Sequence, residues 1–125
     1  MRAVRATLIR AFRATTFEAE GAVARIGRRS RALDALLRGP AAFITAWNPY
    51  SRPMPFGWND RMQGRLRQAV AGRVIGEGWG RGSGWAEHHL LVAGAPARLR
   101  VVARRFRQHA IVIVAPGRPA RLLAA

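Results

Sequence analysis

The chain contains no cysteine, no lysine and only six acidic residues. Without cysteine there is no disulfide framework, no zinc finger or ribbon, and no thiol nucleophile. Six carboxylates scattered over the chain all but remove paired-carboxylate catalysis, and no Ser-His-Asp set can be assembled from spacing. Long apolar runs are missing too. The longest uncharged stretch, Gly39–Ser51, is too short and too polar to span a bilayer. Arginine interrupts Met1–Thr16 every few residues, so this segment lacks the apolar centre of a secretory signal. It reads as a docked amphipathic helix rather than an organellar transit peptide. A soluble, cytoplasmic, bacterial protein is expected.

What is present is arginine. All 22 basic residues are arginine, giving a net charge of +16 over 125 residues. A GC-rich coding sequence accounts for arginine in place of lysine, but not for the scarcity of Asp and Glu. Such a charge repels itself on folding and attracts polyanions: nucleic acid, nucleotide phosphates, an anionic membrane surface or an acidic protein. No nucleic-acid recognition motif accompanies it. Of 62 apolar residues, 24 are alanine, which leaves enough large side chains for one core and one domain, residues 1–125.

Apolar spacing places Val4, Leu8, Ala11 and Phe12 on one helical face. Thr15–Glu20 and Ala22–Ile26 read as a hairpin or two short strands around Gly21. Ser30 caps a second helix with Leu33, Leu36 and Leu37 inward, stopped by Gly39-Pro40. Ala41–Trp47 has the length and composition of a strand buried on both faces. Asn48-Pro49-Tyr50-Ser51 is a turn by its chemistry. A third helix carries Met62, Leu66, Ala69 and Val70. Arg73–Ile75 reads as a brief strand, and Gly76–Gly84, with five glycines in nine residues, as a loop. Leu90–Ala93 is a strand, Pro96 opens a fourth helix, Ala110–Val114 is the strongest strand, and Arg121–Leu123 an edge strand. The alternation predicts a single small α/β domain: a short mixed sheet of about four or five strands packed with about four helices.

Several of these strings, in this order, resemble one family. They are Phe43-Ile44-Thr45-Ala46-Trp47-Asn48-Pro49-Tyr50-Ser51, Asn59 on a polar helix, the Gly-rich stretch leading to Trp85 and Glu87, Leu90-Leu91-Val92, and Arg105-Phe106-Arg107-Gln108-His109-Ala110-Ile111. The family is the bacterial domain of unknown function 3293, and the resemblance runs from about Leu8 to Leu123. It implies no activity, because none is assigned to that family.

Four clusters carry candidate chemistry. Thr45, Asn48, Ser51 and Arg52 lie at the carboxyl end of a buried strand, where ligands of α/β sheets sit; the alternative is that Asn48 and Ser51 only satisfy their own turn and cap the next helix. Glu87 is a ligand-facing or structural carboxylate. It adjoins His88 and His89, which alternation sends to opposite faces; with no second histidine at ligand spacing, no metal and no cofactor is expected. Gly76–Gly84 lacks the ending of a phosphate-binding loop and reads as flexible surface. Arg105 and Gln108 sit at a helix–strand junction on an arginine-rich face that is otherwise simply solvated. The leading reading is a binding module for an anionic ligand, nucleic acid or nucleotide-like, held by the Asn-Pro turn and the Arg105–Gln108 junction. A small metal-independent enzyme requires Asn48, Arg52, Glu87 and Gln108 to converge in one pocket. An interaction protein docking on an acidic partner requires an exposed apolar or tryptophan-rich patch instead.

Overall fold

A computed structural model describes residues 2–125, with side chains from residue 6 onward. Val4 of the first helical stripe therefore lies outside the described side chains. Four helices, α1 (Arg2–Ala14), α2 (Arg31–Leu36), α3 (Phe56–Ala69) and α4 (Pro96–Arg105), punctuate seven strands. The strands are β1 (Thr16–Ala19), β2 (Ala22–Ala24), β3 (Ala41–Ile44), β4 (Val74–Gly82), β5 (Trp85–Ala93), β6 (Ala110–Val114) and β7 (Arg121–Ala124). They form one sheet in the order β2-β1-β4-β5-β3-β6-β7. No helix among the described residues is long and apolar enough to cross a membrane.

Local chemistry explains most boundaries. The Ser30 hydroxyl accepts the Leu33 N–H at 3.2 Å and starts α2. Pro96 occupies the first turn of α4, where its missing N–H costs nothing. The apolar stripes of α3 and α4 bury Leu66, Val70, Leu99, Val102, Ala103 and Phe106 against Ala42, Ile44, Leu90, Val92, Ile111 and Ile113 on one sheet face. The opposite face packs Phe17, Phe43, Leu91, Val112 and Val114 against Leu33 of α2 and Leu37 just after it, with Phe12 of α1 alongside.

Two expectations are corrected here. The sheet has seven strands, not four or five, and every ladder in it is antiparallel rather than mixed. β3 and β6 are indeed buried on both faces. The cause is curling, not the parallel crossovers that usually bury a strand twice. Its two edges meet at a single parallel bridge, Ile26 to Ala120, where the Gly27 N–H donates to the Ala120 carbonyl at 2.8 Å. The concave face closes over its own side chains and over Leu33 and Leu37, with Phe12 packed alongside, while α3 and α4 cover the convex one.

The glycine-rich segment is not a loop. Gly76, Gly78, Gly80 and Gly82 lie on β4, which pairs with β5 along its whole length and turns back at Ser83-Gly84. The glycines recur every second residue, so all four face the same way, and that face is crowded. A Cβ on Gly78 would run into the Glu18 backbone carbonyl, and one on Gly82 into the Trp85 indole. On Gly80 it would lie 2.7 Å from Cε1 of the His89 ring. Glycine is required here for close approach rather than for flexibility.

This assigns opposite outcomes to two glycine substitutions. Gly80→Ala should lower the unfolding free energy by about 1–3 kcal/mol through overpacking against His89. Gly64→Ala, in the middle of α3 with nothing within 4 Å of the new methyl, should raise it by about 0.5–1 kcal/mol. Urea denaturation of both variants checks the pair; a neutral Gly80→Ala would mean that the strand face is slack.

Candidate functional site

The site begins where β3 runs out. The Thr45 hydroxyl donates to the His88 carbonyl at 2.6 Å and accepts the Trp47 N–H at 3.0 Å, tying the strand end to β5. The chain then bends through Asn48 and a single 3-10 turn, Pro49–Ser51, and three non-glycine residues of this stretch take positive φ: Asn48 at 47°, Tyr50 at 51° and Ser51 at 62°. Each such residue costs on the order of 1 kcal/mol or more and persists only where surrounding bonds over-determine it.

Those bonds come from three directions. Asn48 and Asn59 form a reciprocal pair: the Asn48 N–H donates to Asn59 Oδ1 at 3.0 Å, and Asn59 Nδ2 donates to Asn48 Oδ1 at 3.0 Å. The Met54 N–H also donates to Asn48 Oδ1 at 2.9 Å. One turn along α3, Gln63 Oε1 accepts the Ala46 N–H at 2.8 Å while its Nε2 donates to the His88 carbonyl at 3.1 Å. From the far end of the chain, Gln108 Nε2 donates to the Trp47 carbonyl at 3.1 Å. The Tyr50 N–H donates to the Arg107 carbonyl at 2.8 Å. Asn59 and Gln63 are both buried, four residues apart on the face that α3 turns to the sheet.

What remains of Asn48 is its Nδ2, which donates to Glu87 Oε2 at 2.9 Å. Glu87 lies on the concave face of β5, and burial holds its carboxyl above the usual glutamate range, the Asn48 amide offsetting part of the rise. Two residues along the same face, His89 is 6% exposed. Burial pushes its imidazole down to about 4, opposed by a bond to the Glu87 carbonyl and assisted by the neighbouring His88. Because that 2.9 Å partner is a carbonyl, Nδ1 carries the proton.

Thr45, Asn48, Ser51, Glu87 and Gln108 line one concave cavity of about 310 Å³, together with His89 and His109. Its apolar surface is Phe17, Phe43, Val112 and Trp85, with Leu8, Ala11 and Phe12 of α1 along one side. Two of the seven residues singled out in the sequence are elsewhere. Arg52 and Arg105 are exposed and do not line the cavity; Arg52 enters the turn only through its N–H, which donates to the Pro49 carbonyl at 3.0 Å. An arginine side chain after a turn or in the last turn of a helix is free to reach solvent, and both do.

His88 and His89 face opposite sides of the sheet. His88 Nε2 lies 3.3 Å from Glu77 Oε1, and Glu77 also pairs with Arg67 at 3.0 Å. Arg67 chiefly holds the Glu77 carboxyl below its usual range. No group of three His, Asp or Glu side chains among the described residues is placed to hold a metal. Sequence reasoning passed over Asn59 and Gln63 as site residues. Their signal was present: two amides at i and i+4 beside Met62 and Leu66, on a face that should be apolar.

The family model described as "Protein of unknown function (DUF3293)" matches residues 44–111, more than half of the chain. That span runs from the end of β3 into β6 and holds Asn48, Asn59, Gln63, Glu87, His89 and Gln108. No curated protein and no solved structure matches.

His89 gives the fold an acid dependence. Its folded value lies below the ordinary 6.5, so the unfolded chain takes up the proton first. The stability this group contributes is complete above about pH 6.5 and is lost as pH falls through 4, on the order of 3 kcal/mol in all. Urea midpoints measured across that interval should fall for the wild type and fall less steeply for His89→Phe; parallel curves would contradict the assignment.

Proposed function

The chain belongs to the DUF3293 family, and we propose that it is a binding module for a small molecule held in the concave cavity. One observation carries this reading. Polar side chains from the middle and the far end of the chain, Thr45, Asn48, Ser51, Glu87 and Gln108, gather at the edge of a single apolar cavity. About 310 Å³ is within the range of small-ligand sites, and so is an apolar surface bearing a few fixed polar groups. The strained turn agrees with this, since strain held by many bonds concentrates at sites where geometry matters. An enzyme using an arginine clamp is less well supported, because Arg52 does not line the cavity that Asn48, Glu87 and Gln108 share. The absence of cysteine suits a cytoplasmic setting.

A second reading keeps the polyanion and moves it outside. An anion entering the cavity would meet Glu87 and no arginine among the described residues. The outer face differs. Arg98, Arg100, Arg104 and Arg105 of α4, with Arg107 after it, are all exposed and none makes an ion pair among the described residues. Farther round, Phe56 is 69% exposed. Its ring meets Trp47 at 5.8 Å, Trp47 meets Trp79 at 5.8 Å, and the Arg81 guanidinium lies 5.7 Å over Trp79. Phe56 is exposed, Trp47 and Trp79 are part-buried behind it, and aromatic rings beside a cation are the kind of surface on which single-stranded bases stack.

One experiment separates the two. Ala110 is a half-buried β6 residue that lines the cavity, so Ala110→Phe fills it from within. A fragment library followed by ligand-observed NMR should give binders to the wild type that Ala110→Phe abolishes. Retention of an RNA oligonucleotide, falling steeply with salt, should be the same in both proteins. Fragments that bind both proteins alike would remove the cavity reading. An RNA that stays free at physiological salt would remove the polyanion.

A further inference from the structure

Glu87 is a charge out of place. The chain carries 22 arginines against six acids, yet the described residues around this cavity include one carboxylate and no arginine. Elsewhere an available arginine is used, as Glu77 pairs with Arg67 at 3.0 Å. Glu87, half-buried, has a single hydrogen bond, from Asn48 Nδ2 to Oε2 at 2.9 Å, and no ion pair with any described residue. A carboxylate drawn out of water without a counter-charge is costly, and proteins remove such groups unless something else compensates them. Neither neighbouring imidazole pairs with it: His89 stays neutral at physiological pH and spends its Nδ1–H on the Glu87 backbone carbonyl, and His109, whose ring lies 5.3 Å from Tyr50, makes no ion pair with Glu87.

The rest of the surface fits a cation as well. Phe17, Phe43 and Trp85 line the cavity, and aromatic faces attract ammonium groups through their quadrupole. The arginine-covered exterior opposes an approaching cation only at long range. At physiological salt that field is screened beyond about 8 Å, whereas Glu87 acts at contact inside the cavity.

We infer that the cavity is a site for a small organic amine, with an apolar body on the aromatic surface and an ammonium group against Glu87. This rests on the cavity reading above. Asn48 is then a positioning residue: it fixes one carboxylate oxygen and leaves the other for the ligand.

Three matched probes test it: 2-phenylethylamine, 2-phenylethanol and phenylacetate, titrated into the wild type and Glu87→Gln with NMR shifts of cavity residues as readout. Glutamine keeps an acceptor for Asn48 Nδ2, and a melting temperature at or above that of the wild type reports an intact fold. The amine should bind at least tenfold more tightly than the alcohol and more tightly still than the acid, and Glu87→Gln should erase that order. Equal binding of amine and alcohol, unchanged by the substitution, overturns the amine inference and leaves the cavity reading standing. A carboxylate acting as a neutral acid would show the same pattern with phenylacetate bound as well as the others, and also overturns it. If none of the three shifts a cavity residue up to its solubility limit, both readings fall.

Discussion

The reciprocal amide pair between Asn48 and Asn59 is the constraint on which the site depends. It joins the left-handed Asn48, the first of three positive-φ residues within four positions, to α3, and the bonds from Gln63, Gln108 and the Tyr50 N–H brace the rest of the turn. With it, Asn48 Oδ1 and its backbone N–H are spent on α3 and the following loop, which leaves Nδ2 free to aim at Glu87. Gln63 and Gln108 repeat the arrangement, each spending a side-chain amide on backbone groups of the same turn. Buried amides are stabilising only when nearly every donor and acceptor is used, and here most are. The turn is therefore rigid, and the carboxylate is placed by the fold rather than by its own rotamer.

The sheet supplies the other half of the geometry. A flat seven-stranded sheet with one open face would need a second layer; this one curls until its edges touch at Ile26 and Ala120. The glycine face of β4 belongs to the same concave side. By carrying no side chains there, β4 lets the His89 ring fold down against it, where it packs edge-on to Phe17 at 5.4 Å. The space that remains between β3, β5, β6 and α1 is the cavity.

Much of this was legible in the sequence, for reasons that can be stated. Apolar residues at helical spacing identified α3 and α4, Ser30 and Pro96 marked true starts, and Ala110–Val114 is a strand to the residue, because in each case a local rule and burial agree. Double burial of β3 was read correctly and its cause was not: the pattern of a fully buried strand is the same whether helices or the sheet's own curl cover it. Gly76–Gly84 was misread because glycine content was weighed and glycine period was not; alternation at every second residue is a strand signal even when the repeated residue has no side chain. Thr45, Asn48, Ser51, Glu87 and Gln108 were drawn from three stretches of chain and share one cavity. Arg52 and Arg105 do not join them, since a long charged side chain beside a site is held there only by a partner, and these two have solvent instead.

The account stands most directly on the state of one carboxyl group. Carbon-13 NMR titration of the Glu87 side chain should place its pKa above the ordinary glutamate value, and Asn48→Gly, which still tolerates the left-handed backbone at this position and removes the amide that offsets the rise, should raise it further. A Glu87 that titrates at or below the ordinary value, or that ignores the loss of the Asn48 side chain, would contradict the claim that the turn holds an uncompensated carboxylate over the cavity.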